Sequence, residues 1–224
     1  MGIMTMSNQQ ESILEDMREA LREEYGKERS GIHISSLTLC PREQVFRLLR
    51  PHELDDKSLM FFTMGSGQHQ ILQSLLKWFG KKNIQIEKKI SYNGVVGHVD
   101  AVIKGIPLEI KTTRSKSHEA KLHYLIQLKC YCAILGSNIG KLITVGLINY
   151  NEPFHEHTIV MSESEIKKQL EWIDKEAAQF KEAVDKKDWT IARAVKDDKD
   201  LNWKCTACVF SKECFDYENN KTKR

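Results

Sequence analysis

Residues 84–112 read IQIEKKISYNGVVGHVDAVIKGIPLEIKT, and the alternation within this stretch decides the fold. Apolar side chains fall at every second position through three runs, 84–92, 95–104 and 106–112, which is the period of a half-buried strand. Asn93-Gly94 divides the first run from the second, and an Asn-Gly pair between alternating runs is a strong hairpin signal, because both residues tolerate positive φ. Lys104-Gly105 divides the second run from the third. Three strands are therefore predicted, with at least one antiparallel pair.

Helical spacing surrounds this core. Upstream, apolar residues recur with helical period over 59–79, with Gly80 placed as a C-cap, and a polar connection covers 51–57. Before it, Ser35-Ser36-Leu37-Thr38 leads into Cys40-Pro41-Arg42, where Pro41 suits the first turn of a helix running to about Arg50. Residues 9–28 read as an acidic amphipathic helix with Ile13, Leu14, Met17 and Leu21 on one face. Downstream, a helix is predicted over 118–135, closed by Gly136, then strands at 141–150 and 155–161 joined around Pro153. Ser162-Glu163-Ser164-Glu165 is a capping box that opens a charged helix to about Lys187. The last stretch reads as loop and holds three cysteines. The order implies an α/β fold, a mixed sheet flanked by helices. It divides into an N-terminal acidic helix (1–30), a core with its charged helix (59–187), and a cysteine-bearing region built from 31–58 plus 188–224.

The composition is that of an ordinary globular chain: 224 residues, 41% hydrophobic and 29% charged. The net charge of +3 conceals an uneven distribution. Residues 1–30 carry 4 basic and 7 acidic groups, residues 31–150 carry 16 and 8, and residues 151–224 carry 14 and 16. The middle is the basic part, as a phosphate-binding surface requires. Apolar runs are too short to cross a bilayer, and residues 1–6 lack the pattern of a signal peptide. An intracellular protein with no membrane partner is expected.

The chemistry is concentrated in Gly97-His98-Val99-Asp100 and, nine residues beyond Asp100, Glu109-Ile110-Lys111. Glu109 and Lys111 share one face of their strand, and pairing with the preceding strand brings Asp100 beside them. Two carboxylates facing each other need a cation between them, and hard oxygen ligands favour Mg²⁺ or Mn²⁺. Lys111 would then supply positive charge to an anionic transition state. A carboxylate within the otherwise apolar 95–103 run needs such a partner. His69, on the helix before the strands, makes a sensible third ligand, and Gly65 and Gly67 beside it hint at close approach by backbone or ligand. Gln127 and Tyr131, spaced i, i+4, share a helix face. His98, His118 and His123 are given no role.

The cysteines form a second group. Cys205-Thr206-Ala207-Cys208 followed by Cys214 gives C-x2-C-x5-C, and Cys40 stands alone upstream. Cys130 and Cys132 lie within a helix and read as small buried residues. In an intracellular chain this arrangement argues for metal over disulfides. Cys40 completes a set of four thiolates, suited either to tetrahedral Zn²⁺ or to an iron–sulfur cluster.

Taken in order, Cys-Pro-Arg at 40–42, Gly-x-x-x-His at 65–69, Gly-x-x-Asp at 97–100, Glu-x-Lys at 109–111, Gln-x-x-x-Tyr at 127–131 and C-x2-C-x5-C at 205–214 resemble the RecB-like branch of the PD-(D/E)XK nucleases. Within that branch the pattern is most similar to the fourth core family of CRISPR-associated proteins, exonucleases that carry an iron–sulfur cluster. The resemblance implies a restriction-endonuclease-like fold with a nuclease core at 59–187. It implies that His69, Asp100, Glu109 and the Ile110 carbonyl bind Mg²⁺ or Mn²⁺, that Lys111 assists the attacking water, and that Gln127 and Tyr131 line the active site and contact DNA. Cys40, Cys205, Cys208 and Cys214 would hold a [4Fe–4S] or [2Fe–2S] cluster. The implied substrate is single-stranded DNA, cut from the 5′ end and trimmed for CRISPR spacer acquisition, with integration proteins and further copies of the chain as partners. Two other readings stand beside this one: a viral or recombination-repair nuclease, and a catalytically silent DNA-binding subunit. The acidic helix at 9–28 and the charged helix at 163–187 depart from the family pattern.

Overall fold

The structure, a computed structural model, describes residues 13–26, 31–50, 54–79, 83–113, 119–147 and 151–221. The Gly80 C-cap, His118 and the ends of the 9–28, 51–57 and 141–150 predictions fall outside these residues. Six strands form one mixed sheet: β1 (Ile32–His33), β2 (Ile84–Tyr92), β3 (Val95–Ile103), β4 (Ile106–Thr113), β5 (Ile139–Gly146) and β6 (Phe154–Val160). β2 and β3 form the expected hairpin, and Asn93 and Gly94 take φ of 45° and 81°, the two positive values that such a turn demands. Lys104 and Gly105 do the same between β3 and β4, at 51° and 84°. β4 and β5 run parallel and are joined by helix α5 (Leu122–Leu135), while β6 returns antiparallel along β5.

One edge of β3 is used discontinuously. β1 pairs with it at Val95 and Val96, and β4 pairs with it only from Ala101 to Ile103. Residues 97–100 therefore have no paired strand on that edge among the described residues, and the Gly-x-x-Asp motif occupies this gap. On the opposite edge the β2 register passes over Glu87, which has a φ of 48° and faces Asp100.

Helix α4 (Asp56–Phe79) covers one sheet face, with Leu72 and Leu76 against Ala101, Leu108, Ile110 and Val145. It begins three residues earlier than expected, because Asp55 accepts from the Ser58 amide at 2.8 Å. The other face is covered by α5 and by α6 (Glu163–Asp185), through Cys130, Tyr131, Ile173, Ala177 and Phe180. Both predicted helix ends at these elements are present. Gly136 closes α5 at φ 66°, and Ser162 and Glu165 form the capping box of α6.

The ends of the chain correct the sequence reading. Residues 32–38, read only as a lead into Cys40, form β1 and α2 (Ile34–Thr38), whereas α3 (Pro41–Leu49) and α1 (Ile13–Tyr25) lie where helices were expected. β1 is two residues long, too short for periodicity to register. The last stretch, expected as loop, contains α7 (Trp203–Thr206) and the eleven-residue α8 (Ser211–Lys221). α8 has no clean apolar stripe to read. It is held by tertiary contacts: Arg42 to Glu218, Arg50 to Glu213, and the rings of Trp189 and Tyr217. Among the described residues no helix is long and apolar enough to cross a membrane.

Candidate active site

Asp100, Glu109 and Lys111 converge where β3 and β4 part. Ladder pairing stops at Ala101 and Leu108, so Asp100 and Glu109 are the next facing positions. There Asp100 Oδ2 accepts the Ile110 amide at 2.6 Å, a carboxylate taking the place of the next ladder bond. The other Asp100 oxygen, Oδ1, lies 3.4 Å from His69 Nδ1, which reaches down from α4. Lys111 Nζ lies 2.5 Å from Glu109 Oε1. Gln127 Nε2 donates to the same oxygen at 3.0 Å and to the Tyr131 hydroxyl at 2.7 Å.

Burial sets the electrostatics. Glu109 is 1% exposed, and desolvation pushes its carboxyl up to about 7, against the pull of the Lys111 ammonium. Burial draws Lys111 down, but Glu109 outweighs it, so the ammonium is stabilised. His69 is raised by its hydrogen bond to Asp100. Glu109 Oε2 is buried with no hydrogen-bond partner, and a carboxylate oxygen out of water and unbonded is costly. The donors available here, two carboxylates and one imidazole, suit a hard divalent ion. As these side chains stand, no three His, Cys, Asp or Glu groups among the described residues are spaced to grip one ion. Lys111 and Gln127 occupy Glu109 Oε1, and Ile110 N–H occupies Asp100.

The four cysteines named from the sequence line a single cavity. Cys40, Cys205, Cys208 and Cys214 share it with Phe46, Val195, Phe210 and Phe215, and with Arg42, Lys196 and Lys204. Cys40 precedes α3, and burial raises its thiol to about 11, partly offset by the Glu43 amide. Cys205 is raised by burial and then by Cys214 and Glu43; Cys208 is raised by burial, with Glu43 adding more than Cys205 and the Phe210 amide pulling the other way. Arg42 Nη1 donates to Cys214 Sγ at 3.5 Å, binding the N-terminal helix to the C-terminal thiols. Four thiols lining one cavity with three cationic side chains and the Glu43 carboxylate are the residue types that hold a thiolate-bound metal group, although Glu43 and burial both favour the neutral thiols as they stand. Cys130 and Cys132 are buried in α5, away from this cavity, as expected.

No family model matches this chain. Over 209 residues it is 26% identical to the CRISPR-associated exonuclease Cas4 of Saccharolobus solfataricus, an alignment spanning 84% of this chain and 89% of that protein. Its fold is similar to that in the crystal structure of SSO0001, with a TM-score of 0.58 at 22% identity over 90% of this chain and 95% of that one. A crystal structure of an alkaline exonuclease from Laribacter hongkongensis matches at TM-score 0.48 and 13% identity, over 78% of this chain and all of that one. The shared fold is the mixed α/β sheet described above, and the sequence likeness to an exonuclease supports a nuclease hydrolase.

The sequence-predicted residues fall into three sets. Asp100, Glu109, Lys111, His69 and the Ile110 main chain lie together at the first site; the four cysteines line one cavity, but among the described residues they are not spaced as a ligand set. Gln127 and Tyr131 adjoin the first but are buried, at 7% and 2% exposure. Gln127 holds Glu109, and Tyr131 accepts from Gln127. At Gly65 and Gly67 a built Cβ meets nothing within 4 Å among the described residues, so no backbone approaches them there. Sequence reasoning missed Gly97, where an added Cβ would lie 2.8 Å from Tyr131 Cε1. Its place in the Gly-x-x-Asp motif carried that signal. Tyr124 and Trp203, which flank the site on the side of Lys121, left no spacing to read.

Proposed function

We propose that this protein is a divalent-metal-dependent DNA exonuclease, acting on single-stranded DNA from the 5′ end and preparing DNA for CRISPR spacer acquisition inside the cell. The observation that carries the metal is the buried, unbonded Oε2 of Glu109 beside Asp100 and His69. The likeness to a CRISPR-associated exonuclease over most of both chains supports the substrate class and pathway. Asp100, Glu109, His69 and the Ile110 carbonyl would hold Mg²⁺ or Mn²⁺. When bound, the ion activates water and neutralises phosphate charge. Lys111 gives up its contact with Glu109 and turns its ammonium toward the scissile phosphate, where negative charge grows. Gln127, braced by Tyr131, fixes the rotamer of Glu109. Asp100 is oriented by the Ile110 amide.

Cys40, Cys205, Cys208 and Cys214 are assigned to a [4Fe–4S] cluster, with [2Fe–2S] and Zn²⁺ as the alternatives for the same thiolates. The region from 31–58 plus 188–224 is then the unit that holds it. The aromatic wall of Phe46, Phe210 and Phe215 keeps water from the thiols, and Arg42, Lys196 and Lys204 offset negative charge.

The test is cleavage of end-labelled single-stranded oligonucleotides with Mn²⁺ and with EDTA. Asp100→Ala, Glu109→Ala and Lys111→Ala should each lower the rate by at least about 10²-fold while the protein stays folded. Full activity in Lys111→Ala, or cleavage in EDTA, removes this mechanism. Iron analysis with visible and EPR spectra of anaerobically purified protein tests the cluster. A colourless, iron-free yet stable and active protein rules it out.

A further inference from the structure

A line of ammonium groups and aromatic rings leads away from the carboxylate site toward the cysteine cavity. Lys111 Nζ lies 5.6 Å from the centre of the Tyr124 ring. Lys121 Nζ lies 5.8 Å from that same ring and 5.5 Å from the Trp203 ring. Lys204 Nζ lies 5.7 Å from Trp203. His123 fills the space behind, meeting Tyr124 edge-on at 4.2 Å and Trp203 at 6.0 Å. Three cations and two rings thus alternate without a break, beginning at Lys111 and ending next to Cys205.

Several features set this line apart from incidental surface. Trp203 sits on the four-residue helix α7 and remains 46% exposed, so its indole is neither packed away nor needed to fill a core. Lys121 forms no ion pair with another described residue, although the chain carries 31 acidic groups. Lys204 shares its charge with Glu43 at 3.4 Å, and Lys111 with Glu109, so among the described residues Lys121 is the cation of the line without a carboxylate partner. The same residue is the N-cap of α5, which has no side-chain cap, so the positive end of the helix dipole begins at Lys121. His123 is held down to about 4 by burial first and then by Lys121, Lys111 and Lys204.

An exposed indole and a half-buried phenol interleaved with cations match the chemistry of an unpaired nucleic-acid strand. Bases stack on π-faces, and phosphates lie against ammonium groups. Duplex DNA offers no free base face to Tyr124 or Trp203. We propose that Tyr124, Lys121, Trp203 and Lys204 form a track for single-stranded DNA that leads to Asp100, Glu109 and Lys111. Its use as a substrate path rests on the nuclease reading; its capacity to bind a strand does not. The track is indifferent to sequence, because it presents faces and charge with no array of base-edge donors. It also joins the two sites: Trp203 and Lys204 precede Cys205 in the same helix, so whatever orders that cysteine orders the far end of the track.

Binding of a fluorescein-labelled fifteen-residue oligothymidylate, read by anisotropy in EDTA with the full-length protein, tests this without cleavage. Trp203→Ala should raise Kd about tenfold, and Trp203→Phe should restore most of the affinity. Lys121→Ala should weaken binding and lower the slope of log K against log salt by about 1. Unaltered affinity in Trp203→Ala overturns the track, as does an equal loss in Trp203→Phe, which would mark a packing effect. Displacement of the oligonucleotide by polyglutamate at equal charge concentration also overturns it, since the rings would then count for nothing. A protein that binds through Trp203 in EDTA but never cleaves with Mn²⁺ keeps the track and loses the nuclease reading. A protein that cleaves while Trp203→Ala binds as tightly as wild type keeps the nuclease reading and loses the track.

Discussion

Glu109 is a buried carboxylate held on one oxygen and unpartnered on the other, and its neighbours determine how it behaves. Gln127 restrains it without touching solvent, so Gln127→Ala should raise the Mn²⁺ concentration for half-maximal cleavage about tenfold while sparing the fold. A titration of activity against Mn²⁺ checks this, and an unchanged half-point would detach Gln127 from the site. His123 gives a pH dependence of its own. Burial and three lysines depress it to about 4, from an unfolded value near 6.5. A lowered folded value means the unfolded chain takes up the proton first, so the stability His123 contributes is complete above about pH 6.5 and lost as pH falls toward 4. After allowing for solvent screening the loss is on the order of 1–2 kcal/mol. Thermal unfolding at pH 7 and pH 4.5 should show a smaller acid shift in His123→Gln than in wild type. The carboxylates and the lysine were legible because their strand spacing puts them on one face. His123 was not, since one histidine in a helix has no spacing and its lysines come from three separate segments.

Among the elements, β3 is the one on which the site depends. Its edge is shared between β1 and β4, and the unpaired stretch between them contains Gly97 and Asp100. Tyr131 of α5 packs onto this stretch so closely that a methyl group at Gly97 would meet it at 2.8 Å and Ile90 at 3.1 Å. Gly97→Ala should therefore cost about 1–3 kcal/mol, lowering the urea midpoint at nearly constant slope, and should disturb the Tyr131–Gln127–Glu109 chain enough to reduce cleavage. An alanine variant as stable and active as wild type would mean that α5 shifts freely on the sheet. The strands and their turns were open to sequence reading because alternation and Asn-Gly chemistry are local. The gap in the β3 edge was not, since it arises from where β1 arrives from outside the stretch.

At the level of the whole molecule, Arg42 ties the two ends of the chain together. Its guanidinium bonds the carbonyls of Ala192 and Thr190, the Cys214 sulfur and the Glu218 carboxylate, and lies near the rings of Trp189 and Tyr217. With its side chain 7% exposed, Arg42→Ala would strand Glu218 and several carbonyls, at a cost of about 3–5 kcal/mol. A drop in unfolding temperature, together with faster loss of iron to a chelator, is the expected outcome; an unaffected variant would show that α8 docks without Arg42, through Arg50–Glu213 and its ring contacts. The proposed cluster acts on the same junction. Joining Cys40 to Cys205 and beyond closes a loop of more than 160 residues, so Cys208→Ser should destabilise the fold more than it alters the chemistry at Asp100 and Glu109.

By itself the sequence determined the strand periods, the hairpin turns, the end of α5 at Gly136 and the capped start of α6, and singled out candidate site residues, because each of these is set by residues within a few positions of one another; the start of α5, expected at 118, lies at Leu122. Tertiary structure decided what lies beside what. Asp100 takes the Ile110 amide because the ladder ends there, Cys40 shares a cavity with cysteines more than 160 positions away, and Lys121 stands between Tyr124 and Trp203. Such contacts depend on how whole elements pack, and packing across so long a separation leaves no repeating mark along the chain.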